Sequence, residues 1–217
     1  MLDFPATPAE GQLFTPPAGL NTFNYASGKW RQERGWVHLG RGRNQTVASG
    51  LAHYILLPAG YQFYKVILRR FEPVTTTGLL AFRVSNDNLA TVIATGYIWS
   101  GMYHYGTYTG GAWQQTQWTG GTTYVPMSAS TIPVINNGGP NMFDIDIDRG
   151  GNGVPTTFSV HSCLYTTDNN FVHSMVSGYS DYTHTSGATG LQIYCVDYPP
   201  TQVLASTMGA WDLFGAP

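Results

Sequence analysis

From about residue 51 onward, short apolar runs, some of which alternate with polar residues with a period of two, follow one another along the chain. Turn signals such as Pro58-Ala59-Gly60 separate these runs. No window repeats apolar residues at helical spacing for three turns, so no crossover helix is available for a parallel α/β sheet. The predicted strands cover residues 52–57, 63–71, 79–84, 92–99, 103–108, 142–147, 156–164, 171–176, 191–196 and 203–214. This spacing predicts an all-β, two-sheet antiparallel sandwich of the jelly-roll type.

The N-terminal segment follows a different pattern and contains prolines at positions 5, 8, 16 and 17. Alternation in residues 22–25 and again in 29–31, around a Ser27-Gly28 turn, predicts one small hairpin with aromatic side chains on one face. Because an isolated hairpin is marginal in water, we expect it to pack against its own domain or a partner. The predicted organisation is an arm and hairpin over residues 1–34, a linker over 35–50 and a sandwich domain over 51–217.

Charge is the most unusual feature of the composition, since charged residues make up only 10% of the chain, against about 25% in an average soluble domain. Solubility must then come from Thr, Ser, Asn, Gln and Gly, which suits surface-displayed β proteins better than helical enzymes of the cytosol. The net charge of −2 gives no electrostatic basis for a nucleic-acid partner. No apolar stretch is long enough to predict membrane insertion, and the N-terminus has no signal-peptide pattern.

Aromatic residues separated by glycines are densest between residues 97 and 118. Rings on Gly-rich loops can stack on the apolar face of a sugar, while Asn, Gln and Thr side chains hydrogen-bond its hydroxyls. The alternative is that the aromatics fill the core, which we favour for Tyr97 and Trp99, or line a subunit interface. The residues predicted to bind a glycan are Tyr103, Tyr105, Trp113, Gln115 and Trp118.

Residues 144–148 alternate Asp and Ile, which superficially resembles a cation-binding loop. An EF-hand loop needs a bidentate Glu at its twelfth position, and Pro155 stands there if Asp144 is the first. The alternation instead predicts a strand with Ile inward and Asp outward, where carboxylates would discourage unwanted pairing if the strand lies at an edge. A weak surface Ca²⁺ site is the alternative.

Histidines and cysteines are too scattered to predict a metal site. His161 and His173 lie on consecutive predicted strands and could meet, but a metal would need a third ligand. Cys163 and Cys195 lie in apolar strand-like runs and are interpreted as buried thiols, with a bridge between neighbouring strands as the alternative. No metal or other cofactor is predicted.

Catalytic motifs are not found, so the protein is predicted not to be an enzyme. The sequence contains no G-x-S-x-G elbow and no phosphate-binding Gly-rich loop followed by Lys-Ser/Thr. Glutamates occur only at positions 10, 33 and 72, so paired carboxylates for glycoside cleavage are poorly supplied. A polysaccharide depolymerase that uses two Asp residues is the weaker alternative.

Three stretches resemble phage tail-fibre and related virion proteins with a C-terminal sandwich domain. The first joins residues 70–74 (RFEPV) to LLAFRVSNDN at 79–88 and ATGYIWSGMY at 94–103. The second joins TGLQIYCVDY at 189–198 to VLASTMGAWDLFG at 203–215. In the third, the N-terminal segment resembles the FP-x-x-P-x-x-G-Q…G-K-W pattern of virion appendage proteins through Phe4-Pro5, Pro8, Gly11-Gln12 and Gly28-Lys29-Trp30. The chain departs from the family pattern at residues 85–88, which read SNDN where S-T-D-G-G is usual.

This resemblance implies a homo-oligomeric, often trimeric, virion component that is made in the host cytoplasm and contacts other virion proteins and a host-surface polysaccharide. We expect a small tail fibre or spike whose N-terminal arm attaches to the particle and whose sandwich contacts a glycan receptor. A capsid decoration protein or a collar or adapter protein is the purely structural alternative. The residues expected to anchor the arm are Phe4, Pro5, Phe14, Tyr25 and Trp30.

Overall fold

The computed structural model describes residues 4–14, 23–32, 36–43, 52–70, 79–107, 110–127, 141–165, 171–180, 186–196 and 209–216. The regular secondary structure in these ranges is entirely β. The strands are β1 (Leu13–Phe14), β2 (Phe23–Ala26), β3 (Lys29–Gln32), β4 (Val37–Arg43), β5 (Ala52–Leu56), β6 (Phe63–Arg69), β7 (Leu79–Ser85), β8 (Tyr97–Thr107), β9 (Gly110–Thr122), β10 (Val125–Pro126), β11 (Met142–Asp148), β12 (Thr157–Tyr165), β13 (Phe171–Tyr179), β14 (Gly190–Val196) and β15 (Ala210–Ala216). Among these residues no helix is long and apolar enough to cross a membrane.

Two antiparallel sheets form a sandwich, which confirms the predicted fold class. Within the described residues the large sheet has eight strands in the order β4-β15-β6-β11-β12-β13-β8-β9, and the small sheet has four in the order β10-β7-β14-β5. Neighbouring strands in both sheets run antiparallel.

The path of the chain between the two sheets is that of a jelly roll. The small-sheet strands β5, β7, β10 and β14 alternate along the sequence with strands of the large sheet, as two intertwined Greek keys require. The large sheet is wider than the small one because the β12–β13 and β8–β9 hairpins add four strands beside β11 to the set β4-β15-β6-β11. The jelly-roll prediction is therefore confirmed.

The hydrophobic core lies between the two sheets. On β11 the side chains of Phe143, Ile145 and Ile147 are buried, whereas the intervening aspartates are partly exposed. The two sheets meet in ring contacts such as that between Phe82 and Phe158, whose centroids are 5.5 Å apart in an edge-on arrangement.

The predicted alternation of inward Ile and outward Asp is thus confirmed, whereas the condition that the strand lies at an edge is not met. Strand β11 pairs with β6 on one side and with β12 on the other, so it lies inside the large sheet. A strand with three aspartates can lie inside the sheet because Lys65 of β6 neutralises part of the carboxylate charge. The Lys65 ammonium lies 2.8 Å from both Asp144 and Asp146.

Tyr97 and Trp99 are both buried, which confirms their assignment to the core. The Tyr97 hydroxyl donates to the Ile93 carbonyl at 2.8 Å and accepts from the Val84 amide at 2.9 Å. Burial raises the pKa of Tyr97 well above its usual value. This hydroxyl therefore joins the turn after β7 to the start of β8.

The loop at residues 85–88, where the chain departs from the tail-fibre pattern, is held by its own side chains. Asp87 accepts hydrogen bonds from the Thr91 hydroxyl at 2.6 Å, the Thr91 amide at 2.9 Å and the Ser85 hydroxyl at 2.8 Å. These bonds, led by that from the Thr91 hydroxyl, lower the pKa of Asp87 to about 2. Ser85 and Asp87 thus build a turn.

The N-terminal sheet consists of three strands in the order β1-β2-β3. The predicted hairpin is confirmed, because β2 and β3 pair around Ser27 and Gly28, whose φ angles of 55° and 76° are those of a type I′ turn. Residues 15–22 of the arm lie outside the described residues.

The predicted linker over residues 35–50 is wrong for residues 37–43, because β4 forms an edge of the large sheet by pairing with β15. The side-chain pattern did not predict this strand because two of its residues, Gly40 and Gly42, have no side chain. Gly42 leaves room for the Trp211 ring, since a Cβ there would lie 2.6 Å from ring atoms. Residues 44–50 of the predicted linker lie outside the described residues.

Candidate functional site

The outer face of the large sheet, which points away from the core, carries a continuous row of polar residues. Direct cross-strand pairing places Lys65 of β6 opposite Asp146 of β11, and Asp146 opposite Ser159 of β12. The row continues to Ser177 of β13 and Ser100 of β8. Side chains opposite each other on one face have Cβ atoms about 5 Å apart. Residues far apart in the sequence therefore form one polar strip.

The residues predicted to bind a glycan do not share one face of this sheet. Tyr103 is half-buried and packs against the core, and it pairs with Gln114. Tyr105 and Trp118 occupy register positions on the same core side, since Tyr105 is two residues beyond Tyr103 and Trp118 pairs with the buried Trp99.

Trp113 and Gln115 of that predicted set occupy outer-face positions, opposite His104 and Met102. The side chains of Tyr105, Trp113, Gln115 and Trp118 lie outside the described part of the chain. The strand register by itself places the predicted residues on two opposite faces of the sheet. The prediction treated them as one set because it used the number of aromatic residues in the segment and did not consider that successive side chains of a strand point to opposite faces.

A cleft opens on the outer face beside the polar row, and we call it the Trp36 cleft. Its volume of about 680 Å³ lies within the usual range of small-molecule sites. The side chains that define it are those of Trp36, Phe63, Lys65, Asp146, Asp148, Thr157, Ser159 and Ser177. Apart from Asp146 and Asp148, which belong to the alternative Ca²⁺ site, none of these was predicted as a site residue, because they come from separate parts of the sequence and meet only through the sheet register.

Two exposed aromatic residues flank the cleft. Trp36, just before the edge strand β4, is 44% exposed, and Phe63 at the start of β6 is 42% exposed. The Lys65 ammonium lies 5.7 Å from the centroid of the Trp36 ring, which is within the range of a cation–π contact. Lys65 therefore helps to hold the tryptophan in place at the sheet edge.

The polar side chains of the cleft carry more negative than positive charge. Burial alone would lower the pKa of Lys65, but hydrogen bonds to Asp144 and Asp146 outweigh it and raise the pKa, so the ammonium stays charged. Asp148 accepts hydrogen bonds from the Gln62 side chain and, at 3.2 Å, from the Gly150 amide. The lining of the cleft thus holds one ammonium and the two carboxylates of Asp146 and Asp148, and the ammonium is already paired with Asp146 and with the neighbouring Asp144.

A second ion-pair group lies next to the cleft, on β4, β15 and β6. Asp212 pairs with Arg69 and, at 3.1 Å, with His38, whose ring packs edge-on against Phe214. The hydrogen bond from Arg69, followed by that from His38, lowers the pKa of Asp212. The Arg69 guanidinium, like the Lys65 ammonium, is therefore already paired with a carboxylate.

The N-terminal sheet brings together four of the five residues predicted to anchor the arm. Phe4 stacks on Trp30 at 5.3 Å with an interplanar angle of 18°, and it also contacts Phe14 at 5.3 Å. Tyr25 packs edge-on against Trp30 at 5.3 Å. Pro5 follows Phe4 and is half-buried. We call these rings, together with Phe23, the aromatic cluster.

Backbone and side-chain hydrogen bonds explain the Gly11-Gln12 part of the FP…GQ…GKW pattern. The Gly11 amide donates to the Tyr25 carbonyl at 2.9 Å, and the Tyr25 amide donates to the Gln12 carbonyl at 3.0 Å. The Gln12 side chain also accepts from the Ala9 amide at 2.9 Å. The pattern therefore specifies one small fold in which the first segment is tied to the hairpin.

The two histidines considered in the sequence as candidate metal ligands do not form a metal site in the described part of the chain. His161 pairs with Met175, and His173 pairs with Cys163, so the two histidines are not opposite each other. Within the described residues no group of three or more His, Cys, Asp or Glu side chains could hold a metal ion. Cys163 is a free cysteine and burial raises the pKa of its thiol, whereas the Cys195 side chain lies outside the described residues.

Comparison of the chain with protein-family models, with curated proteins and with solved structures finds no match. The fold and the two sites define the protein as a jelly roll with a separate aromatic N-terminal sheet and an open polar cleft. Its function is therefore inferred from its own residues and geometry.

Proposed function

We propose that this chain is a virion appendage protein, a small tail fibre or spike that attaches to the particle by its N-terminal sheet and contacts a host-surface glycan with its jelly roll. The observation that carries the proposal is the division of the chain into two separately hydrogen-bonded parts. Strands β1, β2 and β3 pair with one another, whereas β4 to β15 form the sandwich.

The N-terminal sheet has the properties of an attachment element. Its aromatic cluster is only half-buried, and Leu13 on β1 is 54% exposed. Three short strands are close to the lower limit of independent stability, so burial of this apolar surface against another protein would stabilise the sheet. Aromatic anchors of this kind supply much of the binding energy in protein interfaces.

The jelly roll has the properties of a receptor-binding element. Jelly rolls occur in viral capsid proteins and lectins, but a fold alone does not assign a function. Support comes from the outer face of the large sheet, where exposed aromatic rings lie beside hydroxyl and carboxylate groups at the Trp36 cleft. A sugar needs both, because it has one apolar face and a polar rim.

A homo-oligomer, with a trimer favoured by the resemblance to tail fibres, belongs to the same proposal. Strand β9 is an outermost strand of the large sheet within the described ranges, and residues 110–122 contain no charged residue. Long uncharged edge strands tend to pair with another chain, and proteins usually protect them with charges or prolines. This edge therefore supports self-association.

Deleting residues 1–34 is expected to leave a folded sandwich that no longer joins the particle. The sandwich should fold because its described strand pairings do not involve β1, β2 or β3. Thermal unfolding checks the fold, and co-sedimentation with purified particles measures incorporation. Lys29→Ala, an exposed change in the same hairpin, is the control and should be incorporated normally, whereas Trp30→Ala should not. Normal incorporation of the deleted chain would contradict the attachment role.

The structural alternative, a capsid decoration or collar protein, shares the attachment element and differs in having no receptor. Binding of the full chain to an oligosaccharide array separates the two functions, since a decoration protein should bind none. Incubation with host capsule tests the depolymerase alternative, and newly cut polysaccharide chains would favour it over our proposal.

A further inference from the structure

The Trp36 cleft combines three features of a sugar-binding site in one place. An exposed indole stands at one side, a row of hydroxyls lines the sheet beside it, and a partly exposed carboxylate lies between them. We propose that this cleft, rather than the aromatic β8–β9 hairpin, holds the receptor, and that the receptor presents an uncharged sugar unit to it. The inference rests on the proposed glycan-binding function and adds the place and chemical class of the ligand.

Trp36 supplies the apolar surface for the sugar. Its ring is held by Lys65, which in turn is fixed by two aspartates on β11. Because the salt bridges to Asp144 and Asp146 fix the Lys65 ammonium, its contact with the Trp36 ring orients that ring before a ligand binds. A ligand that packs on an ordered ring does not have to compensate for the entropy of ordering it. Phe63 extends the apolar surface at the same end of the sheet.

Asp146 and the serines of the polar row supply hydrogen-bonding groups for sugar hydroxyls. The Asp146 side chain is 42% exposed, and a carboxylate has about four lone-pair positions, so its pairing with Lys65 leaves acceptor capacity. The hydroxyls of Ser159 and Ser177 can both donate and accept. Adjacent strands lie about 4.8 Å apart, so the row from β6 to β13 spans about 14 Å. This length suits more than one sugar unit.

Charge determines which sugars fit. The positive charge of Lys65 is already matched by Asp144 and Asp146, and Asp148 adds a further negative charge. A uronic acid, a sialic acid or a sulfated sugar would place its own negative charge against these carboxylates. Like charges at this separation are unfavourable. Uncharged hexoses and N-acetylhexosamines avoid this repulsion and still offer hydroxyls to Asp146.

The experiment is binding of the full chain to an array of neutral oligosaccharides and matched sulfated or uronic-acid oligosaccharides. We expect neutral ligands to bind, and Trp36→Ala to weaken that binding about tenfold or more. Asp146→Asn should also weaken it while preserving the shape of the cleft. The matched control is Tyr54→Ala, which removes an aromatic residue that is 51% exposed on the other sheet and should leave binding unchanged. Unfolding midpoints verify that each variant is folded.

Three results would overturn this inference in distinguishable ways. Neutral-sugar binding that survives Trp36→Ala but is lost in Trp113→Ala would move the site to the β8–β9 hairpin and leave the proposed function intact. Exclusive binding of acidic oligosaccharides would contradict the class of ligand. Binding to no oligosaccharide at all would contradict the glycan-binding function, and with it this inference.

Discussion

Gly178→Ala is expected to destabilise the sandwich by about 3 kcal/mol. Gly178 lies on β13 and pairs with Trp99 of β8. A Cβ at this position would lie 2.1 Å from the Ile98 carbonyl oxygen and 2.7 Å from the Trp99 Cα. Both are backbone atoms, so the methyl group can be accommodated only if β13 and β8 move apart. That movement would break the pairing between two interior strands of the large sheet.

Chemical denaturation of the wild type and the variant measures this difference through the unfolding midpoint. The control is Gly40→Ala on β4, where the nearest neighbour of a Cβ is the Trp211 ring at an ordinary contact distance of 3.8 Å. The control should stay within about 1 kcal/mol of the wild type, because alanine is at least as favourable as glycine within a strand. Equal midpoints for the two variants would show that β13 and β8 are not packed as described.

Phe82→Ala is the second change with a large expected effect, a loss of about 3–5 kcal/mol in the free energy of unfolding. Phe82 is 0% exposed and reaches from β7 of the small sheet to the Phe158 ring of the large sheet. Truncation would remove both the buried ring and the edge-on contact, and it would leave a cavity where the two sheets meet. Fixed packing around Phe82 would prevent the cavity from collapsing fully.

The matched control for this prediction is Phe63→Ala, which removes the same ring from a position that is 42% exposed on the outer face. We expect it to cost less than half as much, since most of its apolar area is not removed from water on folding. Thermal unfolding of both variants provides the comparison. A Phe82 variant as stable as the Phe63 variant would contradict the placement of the core between the sheets.

The sequence correctly predicted those parts of the fold in which the residue types indicate the same local structure that the backbone adopts. The Asp and Ile alternation placed the inward face of β11 correctly, and the Ser27-Gly28 turn placed the N-terminal hairpin. Strand β4 was missed because its glycines carry no side chain to alternate. Strand β9 was missed because a glycine-rich run of Trp, Gln and Thr has the composition of a loop.

The site was harder to predict than the fold. The strand register decides which side chains lie next to each other in the cleft, and these side chains are far apart in the sequence. The densest aromatic segment is divided between two faces of the large sheet by its pairing with β8. The Trp36 cleft, by contrast, gathers residues from β6, β11, β12 and β13 together with one tryptophan that precedes β4. The sequence signal for the cleft was Trp36, which stands directly before the glycine- and arginine-containing strand β4.

Location on the particle tests the proposed function most directly. Particles purified from cells that make this chain can be labelled with a gold-conjugated antibody raised against the sandwich domain and imaged by electron microscopy. If the chain is a virion appendage protein, we expect gold at a defined site on intact particles, and no gold on particles assembled in cells that make only the chain lacking residues 1–34. Unlabelled particles, with the protein confined to the soluble fraction of the lysate, would contradict the account.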